Sequence, residues 1–215
     1  MALDTYANLK TAISDHLDRD DLTTYVDDFI DLAEARHKRE VRMRSMKVSA
    51  AFVLSESTSS VTLPSDFHAL SYIRVEIPNA TAGRKYIPDI VELSLHELTG
   101  KTVLDERPPH YYAVEDALYW DAPADQDYDG DIFYYKAVTA LSGSNTSNEI
   151  LAEAADLYLY AALLASAPFL LNDERIQTWG TLYADALSSV NEDQRKARRG
   201  GPMVTQIAGV GNRWR

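Results

Sequence analysis

The hydrophobic pattern of this chain changes period twice, and that double change limits the folds open to it. From Tyr6, apolar residues recur at Leu9, Ile13 and Leu17, a spacing that makes one stripe on a helix of about 3.6 residues per turn. A second stripe follows at Leu22, Val26, Phe29, Ile30, Ala33, His37 and Val41, with Asp20 and Asp21 placed to cap it. At Lys47 the helical period stops. KVSAAFVL, the polar SESTSS and VTLP read as a β-hairpin, and SYIRVEIP reads as a strand closed by Pro78. LSLHEL predicts a short helix ending at Gly100. HYYAVEDALYWDAP predicts a second hairpin turning at Glu115 and Asp116, and DIFYYKAV a last strand.

After the polar loop SGSNTSNE, helical spacing returns at Ile150, Leu151, Ala154, Leu157, Tyr158, Ala161, Leu164 and Ala165. Pro168 ends or kinks that helix. Asn172 offers a cap for the next, with Asp173 and Glu174 in its first turn. Its stripe is Ile176, Trp179, Tyr183, Ala186, Leu187 and Val190. The expected class is therefore α+β. A four-helix bundle forms from the N- and C-terminal helices (1–46 and 147–199), with an inserted antiparallel β-rich domain (47–146). An extended C-terminal tail (200–215) follows.

Charge divides the chain unevenly. Its 215 residues hold 21 Lys+Arg against 33 Asp+Glu. RKARRGGPMVTQIAGVGNRWR, from Arg195 to Arg215, carries six basic residues and no acid, so a body of net −18 ends in a tail of net +6. A net charge of −12 argues against general affinity for nucleic acid, because phosphate binding needs a positive surface. The second helix is acidic at Asp27, Asp28, Asp31 and Glu34 and basic at Arg36, Lys38, Arg39, Arg42 and Arg44, an order that suits the helix dipole. Its basic half could touch phosphate, lie in solvent or face an acidic neighbour. The chain has no cysteine, which removes disulfides and thiolate metal sites and fits a reducing compartment. MALDTYANLK lacks the build of a signal peptide. YLYAALLASAPFLL is too short to span a bilayer and contains Pro168, so no membrane partner is expected.

Catalytic motifs fail on inspection. Asp125, Asp127 and Asp129, followed by Gly130 and Ile132, match the opening of a calcium-binding EF-hand loop. Its closing glutamate is replaced by Lys136, and its flanks read as strands, so an acidic turn before a strand is preferred to a metal site. Gly100-Lys101-Thr102 lacks the earlier glycine of a phosphate-binding loop, Leu95 standing there, and His96-Glu97 lacks the second histidine of a zinc protease. The five histidines, His16, His37, His68, His96 and His110, share no ligand spacing. The thirteen tyrosines cluster in expected strands and helices without interleaved bases, so they read as core rather than as base-stacking platforms. No catalytic residue, metal or cofactor is expected.

Three stretches together carry a likeness: FIDLAEARHKREVRMRSM, LPSDFHALSYIRV, and the long YYKAVTALSGSNTSNEILAEAADLYLYAALLASAPFLLNDERIQTWGTLYADAL. The chain resembles the adaptor (head-to-tail connector) proteins of tailed bacteriophages over nearly all its length. The segment from Tyr134 to Leu187 is the most specific. The resemblance implies a structural protein without enzymatic activity. It forms a homo-oligomeric ring of about twelve copies beneath the portal protein, extends the channel through which genomic DNA passes, and gives a platform to a downstream neck or tail protein. Its place is the virion neck, after assembly in the host cytoplasm.

In that family the C-terminal segment docks on the portal. Gly200, Gly201 and Pro202 break the last helix here. Beyond them Met203, Val204, Ile207 and Val210 suit an extended ligand of another protein's surface. Arg213, Trp214 and Arg215 are residue types that anchor interfaces, and Arg195, Lys196, Arg198 and Arg199 complement acidic groups. A ring of such tails gains by effective concentration. An acidic body suits a channel that must not grip sliding phosphates. The rival expectation is a nucleic-acid-binding module that uses the basic C-terminal segment, with salt-sensitive binding lost when the tail is removed.

Overall fold

The computed structural model describes residues 3–78, 85–86, 90–170 and 173–198. Its helices are α1 (Tyr6–Leu17), α2 (Val26–Glu40), α3 (Leu95–Thr99), α4 (Glu149–Glu153), α5 (Ala155–Ala165) and α6 (Arg175–Arg198). Its strands are β1 (Lys47–Leu54), β2 (Ser60–Thr62), β3 (Phe67–Val75), β4 (Ile77–Pro78), β5 (Lys85–Tyr86), β6 (Val91–Glu92), β7 (Tyr111–Val114), β8 (Ala117–Trp120) and β9 (Tyr128–Lys136). The class is α+β, as the change of period predicts.

Each helix forms where its apolar stripe meets a stop signal. Thr5 caps α1 by accepting from the Asn8 amide, and Leu9, Ala12, Ile13 and Leu17 are its buried face. Asp20 and Asp21 do not cap α2; they open a 3₁₀ turn, Asp20–Tyr25, that runs straight into it. The α2 stripe is buried as expected at Val26, Phe29, Ile30, Ala33 and His37, with Glu34 beside them. The expected third helix is broken in two. Ala154 leaves helical geometry at φ −145° and ψ 60°, and α5 restarts beyond it. That break turns α5 into a segment buried on several sides at Leu157, Tyr158, Leu159, Ala161, Ala162 and Leu163. It packs against α1, α2 and α6. Pro168 sits in a short 3₁₀ turn, Ala167–Phe169, just past the helix end. Asn172 lies outside the described residues, and Asp173 takes the capping position by accepting from the Arg175 amide at 2.9 Å. The α6 stripe lies as its spacing predicts, with Trp179, Tyr183 and Ala186 buried in the helical core.

The strands form a three-stranded antiparallel sheet ordered β1-β9-β3, a four-stranded sheet ordered β2-β8-β7-β6, and the small pair β4-β5. The first expected hairpin does not exist. β1 pairs along its whole length with β9, from Lys47 opposite Tyr135 to Leu54 opposite Tyr128, while β2 pairs with β8. SESTSS therefore carries the chain from one sheet to the other. The second hairpin is present, with Val114 opposite Leu118. Against the all-antiparallel expectation, β6 runs parallel to β7.

Two clusters of buried side chains hold the chain together. One lies among the helices and takes in Tyr135 and Leu141. The other lies between the two larger sheets and comprises Leu54, Val75, Tyr112, Leu118, Trp120, Ala124 and Tyr128.

Candidate functional site

Three docking residues suggested by the sequence, Arg195, Lys196 and Arg198, lie in the last turn of α6. The others, Arg199, Met203, Val204, Ile207, Val210, Arg213, Trp214 and Arg215, lie outside the described residues. What the structure describes is the mounting from which this segment departs. The Arg175 guanidinium at the start of α6 reaches back to the end of α1 and donates to the carbonyls of His16 (2.9 Å) and Leu17 (3.4 Å). These are groups that a helix end leaves unpaired. Further along α6, Tyr183 donates to Glu40 at 2.8 Å, and Arg36 stands over the Tyr183 ring at 4.0 Å from its centre. Thus α6 is tied to α1 at one end and to α2 in its middle.

A buried polar joint connects the helices to the β-rich part. Glu34 on α2 accepts from the Leu141 amide at 2.7 Å and from the Tyr158 hydroxyl at 3.3 Å. Asn148 donates to Tyr158 at 2.6 Å and to the Thr139 carbonyl at 2.9 Å, and its oxygen caps α4 through Leu151. Asn145 closes the loop on itself by donating to Ala140, and Lys136 at the end of β9 pairs with Glu149 at the start of α4. The polar loop after β9 is therefore held in place by both parts. Burial pushes the Glu34 carboxyl up, with the Leu141 amide and Tyr158 hydroxyl pulling it back. Beside it, His37 stands edge-on to Tyr158 at 4.6 Å, and neither ring nitrogen makes a hydrogen bond. Burial pushes His37 down to about 4. His37 is packed and neutral. Glu34 sits on the apolar stripe of α2, and that position was the available sign of a buried carboxylate.

The calcium-like segment is built for pairing. Asp129 and Gly130 belong to β9, where Gly130 faces Phe52 of β1. Asp125 accepts from the Tyr128 hydroxyl at 2.5 Å, and Asp127 accepts from the Glu56 amide at 2.8 Å. Asp129 points to solvent. The glycine that would turn a cation loop instead lets an aromatic ring lie on a strand. A Cβ there would come within 2.3 Å of the Phe52 ring.

The other partial motifs are structural. His96-Glu97 is a helix start in which Glu97 and Ser94 form a capping box on α3. Lys101 lies over Tyr111, and Thr102 donates to Leu98. His16 and His68 bond backbone carbonyls at Ala12 and Lys38. Asp121 is fully buried. It accepts from Arg107 and from the amides of His110 and Tyr111, and so fixes the approach to β7. Among the described residues, no three His, Cys, Asp or Glu side chains are arranged to hold a metal ion, and no helix is long and apolar enough to cross a membrane.

No curated protein matches the chain. The family of the SU10 adaptor protein does, over residues 4–206. That match takes in both helical segments, the β-rich part between them and the polar joint that connects the two. The chain belongs to the SU10 adaptor protein family and is a structural adaptor of bacteriophage.

Proposed function

We propose that the protein is a ring-forming neck component of the virion. It seats beneath the portal, extends the DNA channel and offers a platform to the next neck or tail protein. The observation that carries this reading is the family match over residues 4–206. In this reading the helical segments, 1–46 and 147–199, form the four-helix wedge that packs side by side around the ring. The β-rich residues 47–146 project from it toward the downstream partner. The ring has about twelve copies and forms from monomers made in the host cytoplasm.

The last helix delivers the docking segment. Arg195, Lys196, Arg198 and Arg199 meet acidic groups on the portal. Met203, Val204, Ile207 and Val210 lie along its surface, and Arg213, Trp214 and Arg215 anchor the end. Two features support this assignment. The segment carries six basic residues and no acid in an otherwise acidic chain, and α6 is braced against α1 and α2 by Arg175 and Tyr183. Each contact is modest alone, and a ring of them is strong through effective concentration.

Electron-microscope class averages of purified portal rings, with and without this protein, test the proposal. A second ring on one face of the portal is the expected result. Portal rings that remain bare at saturating protein would overturn it.

A further inference from the structure

The face of α2 turned away from the helical core is patterned along its length. Tyr25, the residue before the helix, and Asp28, Leu32, Ala35 and Arg39 within it recur at alternating steps of three and four residues, and all five are exposed. That is the seam spacing of a contact between two helices. Leu32 is 56 % exposed and Tyr25 43 % exposed. Phe169, 44 % exposed, lies against Tyr25 with ring centroids 5.3 Å apart. Apolar side chains at this spacing are those that a surface helix ordinarily turns inward.

The charges on this stripe are ones that the fold leaves over. On α2, Asp27 pairs with Lys10 and Tyr6, and Arg36 pairs with Glu40 and lies on the Tyr183 ring. Among the described residues, neither Asp28 nor Arg39 makes a hydrogen bond or ion pair through its side chain, nor do Asp31 and Lys38 on the adjoining exposed line. The acids stand toward the start of the helix and the bases toward its end, with Leu32 and Ala35 between them. Turned end for end, this pattern is its own complement. Asp28 of one copy meets Arg39 of a second, Leu32 meets the small Ala35, and the Tyr25–Phe169 ring pair meets Arg42 just past the end of the second α2. Such reciprocity is what a two-fold contact requires. A foreign acidic or basic surface would satisfy one end of the stripe and face its own sign at the other.

We infer that two copies of the free protein pair through this face, with their α2 helices antiparallel across a two-fold axis. Burial of Leu32, Tyr25 and Phe169 drives the contact, and two reciprocal Asp28–Arg39 pairs fix its register and direction. A net charge of −12 on each copy opposes association, so the pair is weak and separates into the monomers from which a ring forms. A contact of this symmetry closes after two copies and cannot propagate a ring. The pair therefore covers the apolar stripe and holds copies in reserve. The inference concerns the protein before it meets a portal and does not rest on portal docking.

Sedimentation velocity of the full-length chain without portal protein, over a rising concentration series, tests the inference. The average mass of the wild type is expected to climb from one copy toward two. Asp28→Arg alone, or Arg39→Asp alone, sets like charges opposite each other at both ends of the contact and is expected to weaken pairing at least about ten-fold. Mixed in equal amounts, these two variants complement each other and are expected to regain pairing, as is a chain that carries both substitutions. Leu32→Gln, which changes no charge, is expected to weaken pairing as well. All the substitutions lie at exposed positions, and unchanged far-UV circular dichroism of each variant checks that the fold is kept. A wild type that stays monomeric throughout, a pair indifferent to the single reversals or to Leu32→Gln, or single reversals that regain nothing on mixing would overturn the inference.

Discussion

Gly130 gives up side-chain packing in the middle of β9 because Phe52 occupies the space above it. An added methyl group would meet the ring well inside contact distance, and the ring is held against Trp120 at 6.3 Å. Gly130→Ala is expected to lower stability by about 1–3 kcal/mol. Urea unfolding would show a lower midpoint with unchanged slope. His37 makes a prediction of a different kind. Its folded value of about 4 lies below its ordinary 6.5, so the unfolded chain takes up a proton first as pH falls. The stability it contributes is complete above pH 6.5 and is lost toward pH 4, by about 3 kcal/mol in all. Glu34, pushed up by burial, contributes a slope of opposite sign. In His37→Leu the acid-side loss of stability between those pH values is expected to shrink, as thermal melts across the range would show. At this scale the sequence was partly legible. The α2 stripe placed His37 inside, but Asp129-Gly130 carries the composition of a turn. Pairing with Phe52 and Val53, distant in the chain, makes it strand.

At the scale of elements, the joint between α2 and the loop after β9 decides how the helices sit on the sheets. Glu34→Ala leaves the buried Leu141 amide and Tyr158 hydroxyl without an acceptor, at a cost of about 1–3 kcal/mol. Glu34→Gln keeps an acceptor and is expected to lose less. Calorimetry of the two variants side by side separates a lost bond from a lost charge. Periodicity located α1, α2, α5 and α6 because each has an apolar stripe facing a single core. It misassigned the partner of β1, since a Ser/Thr-rich turn looks the same whether the strands beside it pair with each other or diverge to two sheets. The break at Ala154 was equally hidden. Alanine is a good helix former, and the fixed caps and contacts of Asn148 and Tyr158 set the geometry there.

For the whole molecule, the division of charge has the widest consequences. A body of net −18 with a tail of net +6 is expected to show no salt-sensitive binding to duplex DNA between about 50 and 200 mM salt. Fluorescence anisotropy with labelled DNA measures this. The rival nucleic-acid reading requires binding that weakens steeply over that range. Fold class and family likeness were legible in the sequence, because order of elements and charge are properties of the whole chain. The partner of β1 was not, because strand order exists only once the sheet is assembled. The most direct measurement is mass photometry of portal rings mixed with the full-length protein and, separately, with a chain ending at Gly200. The full-length protein is expected to add the mass of a complete ring, and the shortened chain none. Equal addition by both, or addition by neither while the full-length chain binds DNA, would contradict it.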